Sequence, residues 1–257
     1  MTLLALTAFD DNYIWALTRG GSEAIIVDPG DAAPVLRAAD AGLKPVAVLI
    51  THHHADHCGG LAELRRRWPE LPVHAPADER IAVPTRTVAD GERVSALGLE
   101  FQVLAVPGHT RSHIAFVSAG ADSHLFCGDT LFSLGCGRLF EGTPAQMLAS
   151  LDRLSALPDT TLVCCGHEYT LSNAAFALAV DPDNAALQER SSEAQRMRQQ
   201  GSPTVPSTLA SERACNPFLR VDQPAVIAAV TAAAGRAPTD RVDTFAELRR
   251  WKDGFRA

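Results

Sequence analysis

His52, His53, His54, Asp56 and His57 fall within six consecutive positions, in the stretch "LITHHHADHCGG". Neutral imidazole nitrogens and carboxylate oxygens are ligands for zinc, iron or manganese. The apolar run "PVAVLI" reads as a strand that ends here. In an extended segment, His52 and His54, two residues apart, point to the same side and can reach one cation. Asp56 and His57 are adjacent and face differently, which suits a second cation beside the first. Gly59 and Gly60 then let the chain turn tightly into the next helix.

Three more candidate ligands follow the same rule of apolar strand, glycine, then polar residue. His109 comes after "VLAVPG", Asp129 after "HLFCG" and His167 after "TLVCCG". Strand ends on one edge of a sheet converge, so these distant loops can meet at one site. His53 lies between two ligands and should point away. His74, His113 and His124 read as structural or surface residues, with a supporting contact open to His113. Cys58 follows the motif but is not needed to complete a site already rich in His and Asp.

The elements that carry these residues suit an α/β layered domain. "EAIIVDPG", "PVAVLITH", "PVHAP", "RVSALGLEFQVLAVPG", "HIAFVSAG", "HLFCGDTLF" and "TLVCCGHE" read as strands. "DAAPVLRAADAGL", capped by Asp31, and "GGLAELRRRWPEL", stopped near Pro69, read as helices. After about residue 170 the texture turns helical, with a Pro/Ser-rich connector "GSPTVPSTLASE" between helical stretches. A net charge of -7 argues against a nucleic-acid footprint. The start "MTLLALTAFDDNYIW" lacks a basic leader, and no apolar run approaches a membrane span. Six cysteines without a CxxC read as reduced thiols of a cytoplasmic protein; a monomer with no membrane partner is the accompanying expectation, though no sequence feature fixes the oligomeric state.

His52, His54, Asp56 and His57 match the H-x-H-x-D-H signature, and the sequence resembles the metallo-β-lactamase superfamily. The resemblance implies a four-layer αββα sandwich holding two divalent cations, zinc foremost, with iron or manganese also acceptable. It assigns His52, His54 and His109 to one cation and Asp56, His57 and His167 to the other, bridged by Asp129. Asp28 of "VDPG" would support a metal-bound histidine from behind.

"DNYIW", "GCGRLFEGT", "CGHEYTLSN", "CNPFLR" and "LRRWKDGF" resemble the hydroxyacylglutathione hydrolase (glyoxalase II) family across nearly the whole chain. This implies a catalytic domain over 1–168 and an α-helical substrate-binding domain over 169–257. Glutathione would be held by Arg138, Phe140, Tyr169, Arg249 and Lys252. Arg249 and Lys252 lie three apart, on one face of a helix. Some members carry lysine at the position of Arg138 and tyrosine at that of Phe140; Phe140 removes a hydroxyl, which bears on glutathione affinity. The implied reaction is hydrolysis of S-D-lactoylglutathione by a metal-held hydroxide, the second step of methylglyoxal detoxification. Asp56 is a ligand first and a proton shuttle second. The nearest alternative is a glutathione-linked persulfide dioxygenase with a single iron; a nucleic-acid phosphodiesterase and a metal-stabilised binding module are weaker rivals.

Overall fold

The computed structural model describes residues 1–81, 83, 86–118, 120 and 123–256. The chain forms two compact units. The first comprises Met1–Ala105, Ser112–Gly128 and Cys164–His167, and the second comprises Val106–Arg111, Asp129–Val163 and Glu168–Ala257.

In the first unit, β1 (Thr2–Ala8) and β2 (Asn12–Thr18) form an antiparallel hairpin, and β3 (Glu23–Val27) pairs antiparallel with β2. Helix α1 (Ala32–Asp40) crosses over to β4 (Lys44–Leu49), which lies parallel to β3. The Asp31 side chain accepts from the Ala33 N–H and so caps α1. A one-turn helix α2 (Ala55–Cys58) and α3 (Leu61–Arg67) follow, then parallel strands β5 (Val73–Ala75) and β6 (Arg86–Thr87) complete a six-stranded sheet in the order 1-2-3-4-5-6. Ile14, Ala16, Ile26, Val48 and Ile50 pack with Val35 of α1 and with Leu61 and Leu64 of α3. Their alternates Trp15, Leu17, Ile25, Val27 and Leu49 are buried too, so this part of the sheet is covered on both faces.

Antiparallel strands β7 (Arg93–Ala96), β8 (Leu99–Ala105), β9 (Ile114–Ser118) and β10 (His124–Gly128) build a second sheet. The stretch "RVSALGLEFQVLAVPG" is therefore two strands rather than one. Leu97 and Gly98, at φ 53° and 66°, make the two-residue turn between them. The period-2 burial on either side had hidden that turn, because leucine is an unusual residue for it.

In the second unit, β11 (Leu131–Phe132) and β12 (Gly135–Cys136) form a small hairpin before α4 (Pro144–Ser155). Thr143 and Gln146 cap α4 reciprocally, and Pro144 occupies its first position. Strand β13 (Leu162–Cys165) crosses the boundary. Leu162 and Val163 pair antiparallel with β14 (Ser207–Thr208), and β13 neighbours β10 in the sheet order. Helices α5 (Thr170–Val180) and α6 (Ala185–Gln199) are separated at Pro182, and Asn184 caps the second. The Pro/Ser-rich connector contains β14 and opens α7 (Leu209–Cys215). Helices α8 (Pro224–Ala234) and α9 (Arg241–Gly254) close the chain. Phe176, Phe218 and Phe245 are fully buried here, each contributing roughly 1.5–3 kcal/mol of burial. None of the six cysteines is in a disulfide. Among the described residues no helix is long and apolar enough to cross a membrane.

Candidate metal centre

Strand β4 delivers the chain, fully buried at Ile50 and Thr51, to the histidine cluster. His54 stands at the N-cap of α2, whose single turn places Asp56 and His57. Gly30 makes this possible: a Cβ there would sit 1.8 Å from the Asp56 carbonyl oxygen, so the 28–31 turn and α2 approach at glycine distance.

Asp28, at φ 51° after β3, organises the cluster from behind. Its carboxylate accepts from the Thr51 N–H at 2.8 Å, from the Thr51 hydroxyl at 2.7 Å and from His57 Nδ1–H at 3.0 Å. The Thr51 oxygen, having donated to Asp28, accepts from His52 Nδ1–H at 3.0 Å. His167 Nδ1–H donates to Asp11 at 2.8 Å. These bonds assign the tautomers: with Nδ1 protonated, His52, His57 and His167 each present a lone pair at Nε2.

The lone pairs converge. His57 Nε2 and His167 Nε2 are 3.3 Å apart, and Asp56 Oδ2 lies 3.5 and 3.4 Å from them. Two ring nitrogens and a carboxylate oxygen at such separations repel one another unless a cation lies between them. Ligand atoms ~2.0–2.2 Å from a tetrahedral cation stand roughly 3.3–3.6 Å apart, so this triad fits one. His52 Nε2 faces His54 Nδ1 at 3.2 Å, a second pair of ligand-type atoms in the same unit. His113 stacks on the His52 ring with centroids 4.5 Å apart. His53 turns away, its Nδ1 3.4 Å from the buried Asp78 carboxylate, which also binds Arg80 and Ser112. Burial, then the charge of Asp28, pushes the Cys58 thiol up to about 11, and its S–H donates to the His53 carbonyl. The Cys58 S–H is thus engaged with the backbone of the neighbouring turn. His74 and His124 are buried in the first unit, and burial lowers the His74 pKa.

The second unit contributes a pair of the same character. His109 donates Nδ1–H to the Arg138 carbonyl at 2.9 Å, leaving its Nε2 lone pair 3.5 Å from Asp129 Oδ2. Gly128 precedes Asp129 at φ 47°, where an added Cβ would meet the Thr51 hydroxyl at 2.3 Å. The rule of strand, glycine and ligand therefore has a steric cause at this position.

The expected glutathione residues all lie in the second unit and differ in availability. Arg138 is open, 68% exposed, with Nε 3.9 Å from Asp253. Phe140 is exposed and sets its ring edge on His109, centroids 5.2 Å apart. Tyr169 precedes α5, its ring against Phe132. Arg249, by contrast, is buried, donating to the Cys136 carbonyl at 2.9 Å and to Asp253 at 2.9 Å. Lys252 donates to the Ser172 carbonyl at 3.0 Å and lies over the Phe176 ring. Burial, helped by the charges of Arg249 and Arg138, lowers the Lys252 ammonium to about 8.

Sequence reasoning missed Asp11, Asn12, Thr51 and Asp78. Asp11 and its histidine are 156 residues apart, and an Asp-Asn pair between strands reads as an ordinary turn. Thr51 was visible as the residue before the cluster, but nothing local marked its hydroxyl as a relay.

The metallo-β-lactamase superfamily pattern matches residues 9–167, and the pattern described as "Hydroxyacylglutathione hydrolase C-terminus" matches residues 168–255. A hydroxyacylglutathione hydrolase of Xanthomonas axonopodis pv. citri (strain 306) is 64% identical over 258 residues, covering 100% of both chains. One from Xylella fastidiosa (strain M12) is 58% identical, covering 99% of this chain and 98% of its own. Among solved structures, ETHE1 from Myxococcus xanthus aligns with a TM-score of 0.66 at 25% identity, over 99% of this chain and 91% of that one. TTHA1623 in a di-iron-bound form aligns with a TM-score of 0.54 at 33% identity, over 65% of this chain and 92% of that one. The fold class is the αββα metallo-β-lactamase class with a smaller C-terminal α-helical part. By its full-length identity to these relatives, the chain belongs to the hydroxyacylglutathione hydrolase family of the metallo-β-lactamase superfamily.

Proposed function

We propose that this protein hydrolyses S-D-lactoylglutathione and related S-2-hydroxyacylglutathiones to the hydroxy acid and glutathione, the second step of methylglyoxal detoxification. The observation that carries the reading is the convergence of lone pairs from Asp56, His57 and His167 in a chain similar throughout to hydroxyacylglutathione hydrolases. In this reading His52, His54 and His109 hold one divalent cation, Asp56, His57 and His167 hold another, and Asp129 serves both. The di-iron form of TTHA1623 supports a count of two. Zinc is the first choice for a set of imidazoles and carboxylates, with iron and manganese chemically acceptable.

When bound, such cations supply a water of lowered pKa and a Lewis acid for the thioester carbonyl. The rest falls to the chain. Asp28, Thr51 and Asp11 keep three imidazoles in the tautomer that leaves Nε2 available. Asp56 is 40% exposed at its side chain, so it can exchange a proton with solvent while its other oxygen faces the histidines. Thiolate is a good leaving group, so no general acid is assigned. Arg138 and Lys252 offer cations to the glutathione carboxylates, Tyr169 a hydroxyl, and Phe140 an apolar ring beside His109. Arg249 holds the Cys136 carbonyl and Asp253, and adds positive charge behind Lys252. The catalytic part is assigned to 1–168 and the glutathione-binding part to 169–257. The protein is expected to act as a cytoplasmic monomer.

The test is the release of free glutathione thiol from S-D-lactoylglutathione by the purified protein, beside a lactoyl thioester lacking the γ-glutamyl and glycyl carboxylates. The glutathione thioester is expected to react with at least ~10²-fold higher kcat/KM. Equal rates on both, or oxygen uptake with glutathione persulfide and no thioester loss, would overturn the assignment.

A further inference from the structure

We propose that Asp11 and Asn12, at the tip of the β1–β2 hairpin, are positioning residues that set the protein's affinity for one of its two cations and not for the other. The inference rests on the two-cation reading above. Asp11 Oδ1 accepts from His167 Nδ1–H at 2.8 Å. Asn12 Nδ2 donates to Asp56 Oδ2 at 3.0 Å and approaches the Asp56 carbonyl oxygen at 3.4 Å. Two adjacent residues, one ending the turn and one opening β2, therefore grip two of the three ligands that serve this cation alone. The third, His57, is held by Asp28.

The hairpin is fastened to the His167 loop by backbone as well. Asn12 and His167 form an isolated antiparallel bridge, and the Tyr13 N–H donates to the Gly166 carbonyl at 2.8 Å. Phe9, 61% exposed and held at φ 49°, opens the turn in a conformation that a bulky residue rarely adopts. The turn is thus held in one form by its surroundings, with its carboxylate aimed at His167.

This arrangement has a chemical purpose. His167 follows β13 in a loop, and an unsupported imidazole there could carry its proton on either nitrogen. A carboxylate can only accept, so Asp11 fixes the proton on Nδ1 and the lone pair on Nε2. An asparagine in its place could donate instead and drive the proton to Nε2, which disables that nitrogen as a ligand. Asn12 in turn fixes the rotamer of Asp56, the most exposed ligand of this set. At the other pair, His52 is held by the Thr51 hydroxyl and faces His54.

The experiment is a competition titration of the metal-stripped full-length protein with Zn²⁺ against a chromophoric chelator. Asp11→Asn, Asp11→Glu and Asn12→Ala are run beside the wild type, with the melting temperature of each stripped protein measured in parallel. The wild type is expected to take two Zn²⁺. Asp11→Asn and Asn12→Ala are expected to weaken one site about 10–100-fold while the other holds. Asp11→Glu is expected to recover most of the loss, with the stripped melting temperatures unchanged. A wild type that binds fewer than two Zn²⁺ would overturn the two-cation reading itself. A wild type with two sites, beside an Asp11→Asn variant whose two affinities are unchanged, would overturn only this inference. So would equal weakening of both sites accompanied by a lower stripped melting temperature, since that marks a merely structural role; should Asn12→Ala fail to fold, the isosteric Asp11→Asn decides alone.

Discussion

Lys252 and His167 are the residues at which the proposed binding and the proposed chemistry can be separated by experiment. Burial holds the Lys252 ammonium at about 8, below its ordinary 10.5, so it is charged below that pH and loses its charge as pH rises through it. KM for the glutathione thioester should therefore climb above pH 8, and initial-rate KM–pH profiles should lose that inflection in Lys252→Met. A charge-assisted hydrogen bond contributes ~1.5–3 kcal/mol, so Lys252→Met should raise KM about 10–100-fold at pH 7 with kcat little changed. His167→Ala should act oppositely, lowering kcat by more than ~10²-fold and the bound zinc from two per chain to one by elemental analysis. One-dimensional spacing marked His52, His54, Asp56 and His57 as candidate metal ligands because they crowd one strand end, and His167, 110 residues from His57, joins Asp56 and His57 only in the fold. What holds them was not marked: Asp28 lies 29 residues from His57 and Asp11 156 from His167, distances that no local pattern spans. Arg249 shows the same limit. Its spacing put it on one helix face with Lys252, and what no spacing shows is the tertiary packing that buries it against Cys136.

The turn at Pro29–Asp31 approaches α2 at glycine distance, and α2 carries Asp56 and His57. Gly30→Ala would drive a methyl into the Asp56 carbonyl, so α2 must shift or the turn must open. That overpacking should cost at least ~1–3 kcal/mol, measured by urea denaturation, and should reduce bound zinc even in the fraction that folds. Thr143→Ala removes a side chain that caps α4 and should cost ~1 kcal/mol with zinc content unchanged. Strands β3, β4, β5, β9, β10 and β13 were readable as apolar runs ending in turn residues, and α1 from its Asp31 cap. The hairpin of β7 and β8 was not, since Leu97 occupies a left-handed position where the turn rules expect Asn or Gly. Nor was the break at Pro182 between α5 and α6, because the Ala- and Gln-rich flanks carry high helix propensity on either side.

The histidine cluster lies in the first compact unit, and Arg138, Tyr169 and Lys252 lie in the second. A carboxylate and ring nitrogens facing one another at 3.3–3.5 Å make the metal-free protein electrostatically unfavourable at the centre. Adding Zn²⁺ to stripped protein should therefore raise the melting temperature, and lowering pH toward 5 should reverse the gain as imidazoles protonate. The most direct measurement of the central claim is a stepwise zinc titration of the stripped protein, following the initial rate of S-D-lactoylglutathione hydrolysis at each step. The rate is predicted to return only with metal and to level off at two equivalents per chain. Hydrolysis that survives complete stripping, or that is already maximal at one equivalent, would contradict it.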